Sequence, residues 1–77
     1  MTKAQRAKCQ TIVNQLSELY DAVNDLASDT REAFENMPEN LQESERGQQM
    51  ENETDELAEA SEEINSARDR LEEIANA

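Results

Sequence analysis

The sequence predicts an all-α protein: an antiparallel two-helix hairpin of coiled-coil character, assembled with further copies into a helical-bundle homo-oligomer. Three observations carry this expectation. Apolar residues recur at alternating three- and four-residue spacings along two long segments, the period of a helix that shows one side to a partner. The only proline, Pro38, and the only glycine, Gly47, fall between those segments. A chain of 77 residues allows one domain, spanning 1–77, and has too little apolar material to bury a large core unaided.

The first helix opens after Thr2, a suitable N-cap. Its seam is expected along two lines, Cys9, Leu16, Val23, Thr30 and Met37 on one and Ile12, Leu19, Leu26 and Ala33 on the other. A third line, Val13, Tyr20, Ala27 and Phe34, runs alongside and would stay wet in an isolated hairpin. Three apolar positions per heptad make a stripe wider than one partner helix covers. Leu16, Leu19, Tyr20, Val23 and Leu26 are therefore the expected oligomer interface. Pro38 ends the helix, because proline disfavours helical geometry at the preceding Met37.

The connection follows, with room for a short helical turn at "PENLQ", where Pro38 suits a first-turn position. Phe34, Met37, Leu41 and Met50 would plug this end of the hairpin, and Gly47 would allow close contact with the first helix. Ser44 caps the second helix, whose seam is Met50, Leu57, Ile64 and Leu71 with Ala60, Ala67 and Ile74 beside it. Expected boundaries are a helix over about 3–36, a connection over about 37–43 and a helix over about 44–75. So short a connection makes the helices antiparallel. Folding about residue 40 sets Leu19 near Ala60 and Ile12 near Ala67, and brings Lys3, Arg6 and Lys8 beside Glu72 and Glu73.

Charge narrows the function classes. Residues 1–17 carry three bases and no acid, whereas from Glu18 onward four arginines face nineteen acids, for an overall net charge of −12. Such a surface repels nucleic acid and anionic membranes and favours a basic protein partner. One cysteine cannot form an internal disulfide, and with no histidine, zinc and Cys–His catalysis are unsupported. Cys9 reads as a small core residue. No cofactor, metal or catalytic residue is expected, and the protein is taken to be a non-enzyme. The basic start lacks a following apolar run, so a cytoplasmic location is expected.

The segment "AFENMPENLQESERGQQM" also carries a possible chemistry. Gln42, Ser44, Arg46 and Gly47 stand around a helix N-terminus, where an anion would be favoured. Copies of Arg46 with Lys3 or Arg31 would surround a phosphate in an oligomer, although Glu43 and Glu45 oppose it. Packing and capping explain the same residues, with Arg46 in reach of Glu32, Glu35, Glu39 and Glu43. The segment resembles one in small uncharacterised proteins of tailed bacteriophages, through Ala33, Phe34, Asn36, Met37, Pro38, Glu39, Leu41, Gln42, Ser44, Glu45, Arg46, Gly47 and Met50. The resemblance covers about a quarter of the chain closely. It implies a phage or prophage origin, hence the host cytoplasm, and no particular activity.

Three functions fit these residues. The first is inhibition of a host nucleic-acid-handling or defence protein by a surface that mimics nucleic acid. Its carriers are Glu51, Asp55, Glu56, Glu59, Glu62 and Glu63, which with Glu53 make seven acids and no base over residues 51–63. The second is a structural or assembly role for the apolar stripe. The third is an oligomeric sponge that holds an anionic nucleotide signal at the "SERG" turns. Salt-sensitive binding to a basic protein, salt-insensitive apolar binding and nucleotide-dependent thermal stabilisation distinguish them.

Overall fold

The structure, a computed structural model, describes all 77 residues. It contains α1 (Lys3–Glu35), the single turn α2 (Glu39–Gln42) and α3 (Glu45–Ala75), with no strand. α1 and α3 pack along each other as an antiparallel hairpin. The Cα extents are 58 × 13 × 12 Å. Its radius of gyration is 17.3 Å, against roughly 11.5 Å for a compact globule of this length.

Each helix end has a local cause. Thr2 and Gln5 form a reciprocal capping box: the Gln5 amide donates to Thr2 Oγ1 at 3.1 Å, and the Thr2 amide donates to Gln5 Oε1 at 2.9 Å. α1 closes at Asn36, whose N–H returns to the Glu32 carbonyl. Pro38 is the N-cap residue of α2 rather than a first-turn residue, and its carbonyl accepts from Leu41 and Gln42. Ser44 caps α3 by accepting from the Gly47 N–H at 3.2 Å.

Gln42 secures the connection. Its side-chain amide donates to the carbonyls of Phe34 and Met37 at 3.1 Å and of Glu35 at 3.3 Å. These groups at the end of α1 have few or no helical partners of their own. Gly47 makes its close approach to α2 instead of α1: a Cβ there would lie closer than 3.0 Å to backbone atoms of Leu41 and Gln42. Phe34, Met37 and Met50 are half-buried as expected, but Leu41 is 45% exposed and stands outside the plug.

The seam differs from the expected one. The inner face of α1 is Cys9, Leu16, Val23 and Thr30 together with Val13, Tyr20, Ala27 and Phe34. Val13 is only 3% exposed, whereas Ile12, Leu19 and Leu26 are 46%, 53% and 53% exposed. The line expected to be wet is thus the buried one. α3 is rotated in the same sense. It keeps Met50, Leu57, Ile64 and Leu71 half-buried but adds Gly47, Thr54, Ser61, Arg68 and Ala75, while Ala67 and Ile74 are exposed.

Small side chains on α3 explain the choice. Thr54 and Ser61 are buried and let the backbones of α1 and α3 come close, while Gly47 is buried against α2. The hydroxyls do not oppose burial, because Thr54 Oγ1 donates to the Met50 carbonyl at 2.9 Å and Ser61 Oγ to the Ala58 carbonyl at 2.8 Å. Toward the open end Arg68 lies over Tyr20, its guanidinium carbon 5.8 Å from the ring centroid. Cys9 is buried, with its thiol donating to the Leu71 carbonyl at 3.2 Å.

The expected ion pairs across the hairpin do not form. Arg6 reaches α3 by donating to the Ile74 carbonyl at 2.5 Å, not to Glu72 or Glu73. Arg46 pairs with none of Glu32, Glu35, Glu39 and Glu43, and the single ion pair in the chain joins Arg68 to its neighbour Asp69 at 3.2 Å. Exposed arginines and lysines lose side-chain entropy on pairing, so geometry alone does not hold them.

Candidate functional site

The hairpin has two unlike long faces. One carries the exposed Ile12, Leu19 and Leu26 of α1, with Ala60, Ala67 and Ile74 of α3. Seven-residue spacing stacks each set on one side of its helix. The two sets lie on the same side of the rod, because Leu26 and Thr30 share an open groove of about 390 Å³ with Glu53, Glu56 and Leu57. At the open end Met1, Gln5, Lys8, Cys9 and Ile12 line a second groove on this face.

Of the expected oligomer residues, Leu16 and Val23 are half-buried in the hairpin and Tyr20 belongs to its seam. Of these five only Leu19 and Leu26 are exposed, each by 53%. No helix is long and apolar enough to cross a membrane.

The acidic residues form the other face. Glu51, Asp55, Glu59 and Glu62 recur on successive turns of α3 and are exposed. Glu51 and Asp55 line a groove with Arg31, Phe34, Glu35 and Thr54, on the side away from Leu26. Glu56 and Glu63 are also exposed but stand on the shoulder of the apolar face, as Glu56 beside Leu26 and Leu57 shows. Periodicity in the sequence placed all six on one helix. Their division into two groups needed the rotation of α3, which is set by Thr54 and Ser61.

No side-chain base on α3 between Glu51 and Ala67 offsets these carboxylates. The exposed row Glu51, Asp55, Glu59 and Glu62 spans about 16.5 Å at 1.5 Å per residue, one charge per about 5.5 Å. A DNA strand carries one per ~3.4 Å. No group of three or more carboxylate or thiol side chains is placed to hold a metal ion.

The residues suggested for anion binding are largely engaged. The Gln42 amide faces the carbonyls at the end of α1, and the Ser44 hydroxyl bonds to both the Leu41 carbonyl and the Gly47 N–H. Arg46 is exposed, without an ion-pair partner. The structure therefore brings Gln42, Ser44 and Gly47 together as a capped turn, whose hydrogen-bonding groups are turned to the backbone. The signal that sequence reasoning missed is the donor capacity of Gln42 six residues beyond the C-cap of α1.

No family model, curated protein or solved structure matches this chain.

Proposed function

We propose that this protein is a small, non-enzymatic inhibitor that occupies the basic groove of a nucleic-acid-handling or defence protein by presenting carboxylates in place of phosphates. The observation that carries this reading is the row Glu51, Asp55, Glu59 and Glu62, exposed on one side of a rigid helix and free of ion pairs. Carboxylates carried on a formed helix meet a basic groove without any ordering of the backbone, and the groove's own charge accelerates encounter. The resemblance to phage proteins makes a bacterial host the natural source of the target, with the host cytoplasm as the meeting place.

The exposed line of Ile12, Leu19 and Leu26 supports a second, compatible reading, self-association into a helical bundle. An assembly role alone would make that apolar face, not the acidic one, the partner surface. The test is affinity capture from bacterial lysate with elution by duplex DNA. The unaltered chain should retain a basic nucleic-acid-binding protein that DNA competes away. The variant Glu51→Lys/Asp55→Lys/Glu59→Lys/Glu62→Lys should not retain it. Capture that resists both DNA and charge reversal would overturn the mimicry reading.

A further inference from the structure

On the acidic side, a groove of about 170 Å³ lies between the two long helices. It is lined by Arg31, Phe34 and Glu35 of α1 and by Glu51, Thr54 and Asp55 of α3. The volume falls below the roughly 300 Å³ at which small-molecule pockets begin, and it suits one long side chain. Phe34 is half-buried and supplies the apolar part of the lining. The Thr54 hydroxyl is committed to the Met50 carbonyl at 2.9 Å. The charged groups are therefore Arg31, Glu35, Glu51 and Asp55, all exposed and none joined by an ion pair. Three carboxylates against one guanidinium leave a net charge of −2 in the groove.

We propose that this groove receives an arginine side chain of the basic partner. Its guanidinium lies against the Phe34 ring, and Glu35, Glu51 and Asp55 accept its N–H groups. A planar guanidinium stacks on an aromatic ring and still directs its edge at carboxylates, which the compact, strongly hydrated ammonium of lysine does not do. The hairpin makes the same contact internally. Arg68 lies over Tyr20 with its guanidinium carbon 5.8 Å from the ring centroid, and it pairs with Asp69. Phe34 is the only other aromatic residue, and no cation of the chain lies over it.

This inference rests on the acidic-face reading and adds Phe34 and Glu35 of α1 to that surface. It also gives Arg31 an opposing role, because a guanidinium at the rim repels the incoming one and competes for the same carboxylates. Glu59 and Glu62 stand outside the groove and act through the field along the rod.

The test is an NMR titration of the full chain at low ionic strength with acetyl-Gly-Arg-Gly-amide. Its citrulline counterpart keeps the shape without the charge, and its lysine counterpart keeps the charge without the plane. The arginine peptide should shift the Phe34 ring protons and the Glu51 and Asp55 amides more than the Glu59 and Glu62 amides. The citrulline peptide should shift none of them, and the lysine peptide should leave the ring nearly unmoved. Arg31→Gln should tighten the arginine peptide about threefold, and Glu35→Gln should weaken it by a similar factor, as for exposed charges. Shifts spread evenly along α3 with the ring unmoved, or an equal ring response to lysine, would overturn the arginine site. Mimicry would then stand alone if DNA still competes the captured protein away. Loss of that competition with the Phe34 response intact would overturn mimicry and leave the arginine site.

Discussion

Gly47 and Gln42 hold the turn by opposite means, one by lacking a side chain and the other by using all of it. A methyl at Gly47 would enter the Leu41 and Gln42 carbonyls, which are backbone atoms and give way only if α2 moves. Helix propensity alone would favour Gly47→Ala by about 1 kcal/mol. Overpacking costs about 1–3 kcal/mol and should win. Thermal unfolding should therefore show a lower Tm for Gly47→Ala, and a rise in Tm would refute the close approach. At Gln42 the donor, not the bulk, matters. Gln42→Ala leaves the carbonyls of Phe34 and Met37 to water at a cost of about 1 kcal/mol. Gln42→Glu, nearly the same shape but an acceptor facing acceptors, should be worse. Equal stabilities for the two variants would show that the amide contributes nothing.

Within the elements, the seam and its flank respond differently to the same charge. Val13 is buried between α1 and α3, so Val13→Asp should unfold the hairpin, because an unpaired carboxylate would be taken from water. Leu19→Asp/Leu26→Asp places its charges on the outer line and should leave the circular dichroism helical at low temperature while abolishing association. Loss of helix in the second variant at the same temperature would mean that the Leu19 line, not the Val13 line, joins the helices. The sequence itself leads toward that wrong choice. It makes the two helices, their caps at Thr2 and Ser44 and their ends within a residue legible, since those follow from local periodicity and capping. It does not reveal which apolar line of α1 turns inward, because three lines compete for a seam that holds two. Large residues at Leu19 and Leu26 suggest burial, yet the decision lies with Thr54 and Ser61. A hydropathy pattern discards these two as polar. Their hydroxyls bond within α3, which only the folded chain shows. The acidic row was legible residue by residue, but its separation from Glu56 and Glu63 inherits the same rotation.

At the scale of the whole molecule, the two faces make opposite demands on salt. Each copy carries a net charge of −12, so bringing two together costs repulsion that added salt screens. Self-association through Leu19 and Leu26 should therefore hold or strengthen as salt rises. Binding of a basic groove by Glu51, Asp55, Glu59 and Glu62 runs the other way, because its attraction is between unlike, solvent-exposed charges. Those four residues lie away from the apolar face, so reversing all of them to lysine should leave the helices and self-association intact. The reversal changes the net charge by +8 and should abolish binding of the basic partner. Removing any one of them should weaken it only slightly, since the potential is shared along the rod. Arg46→Ala should leave partner binding unchanged, because Arg46 forms no ion pair and lies on the first turn of α3, before the acidic row begins. Measuring partner binding and sedimentation on the same samples across a salt series separates these effects. If partner binding and self-association fall together with salt, a single charged surface serves both, and the division of the rod into an apolar and an acidic face is wrong. If partner binding persists at high salt and is lost in Leu19→Asp/Leu26→Asp, the partner docks on the apolar face and the carboxylates only keep the protein soluble.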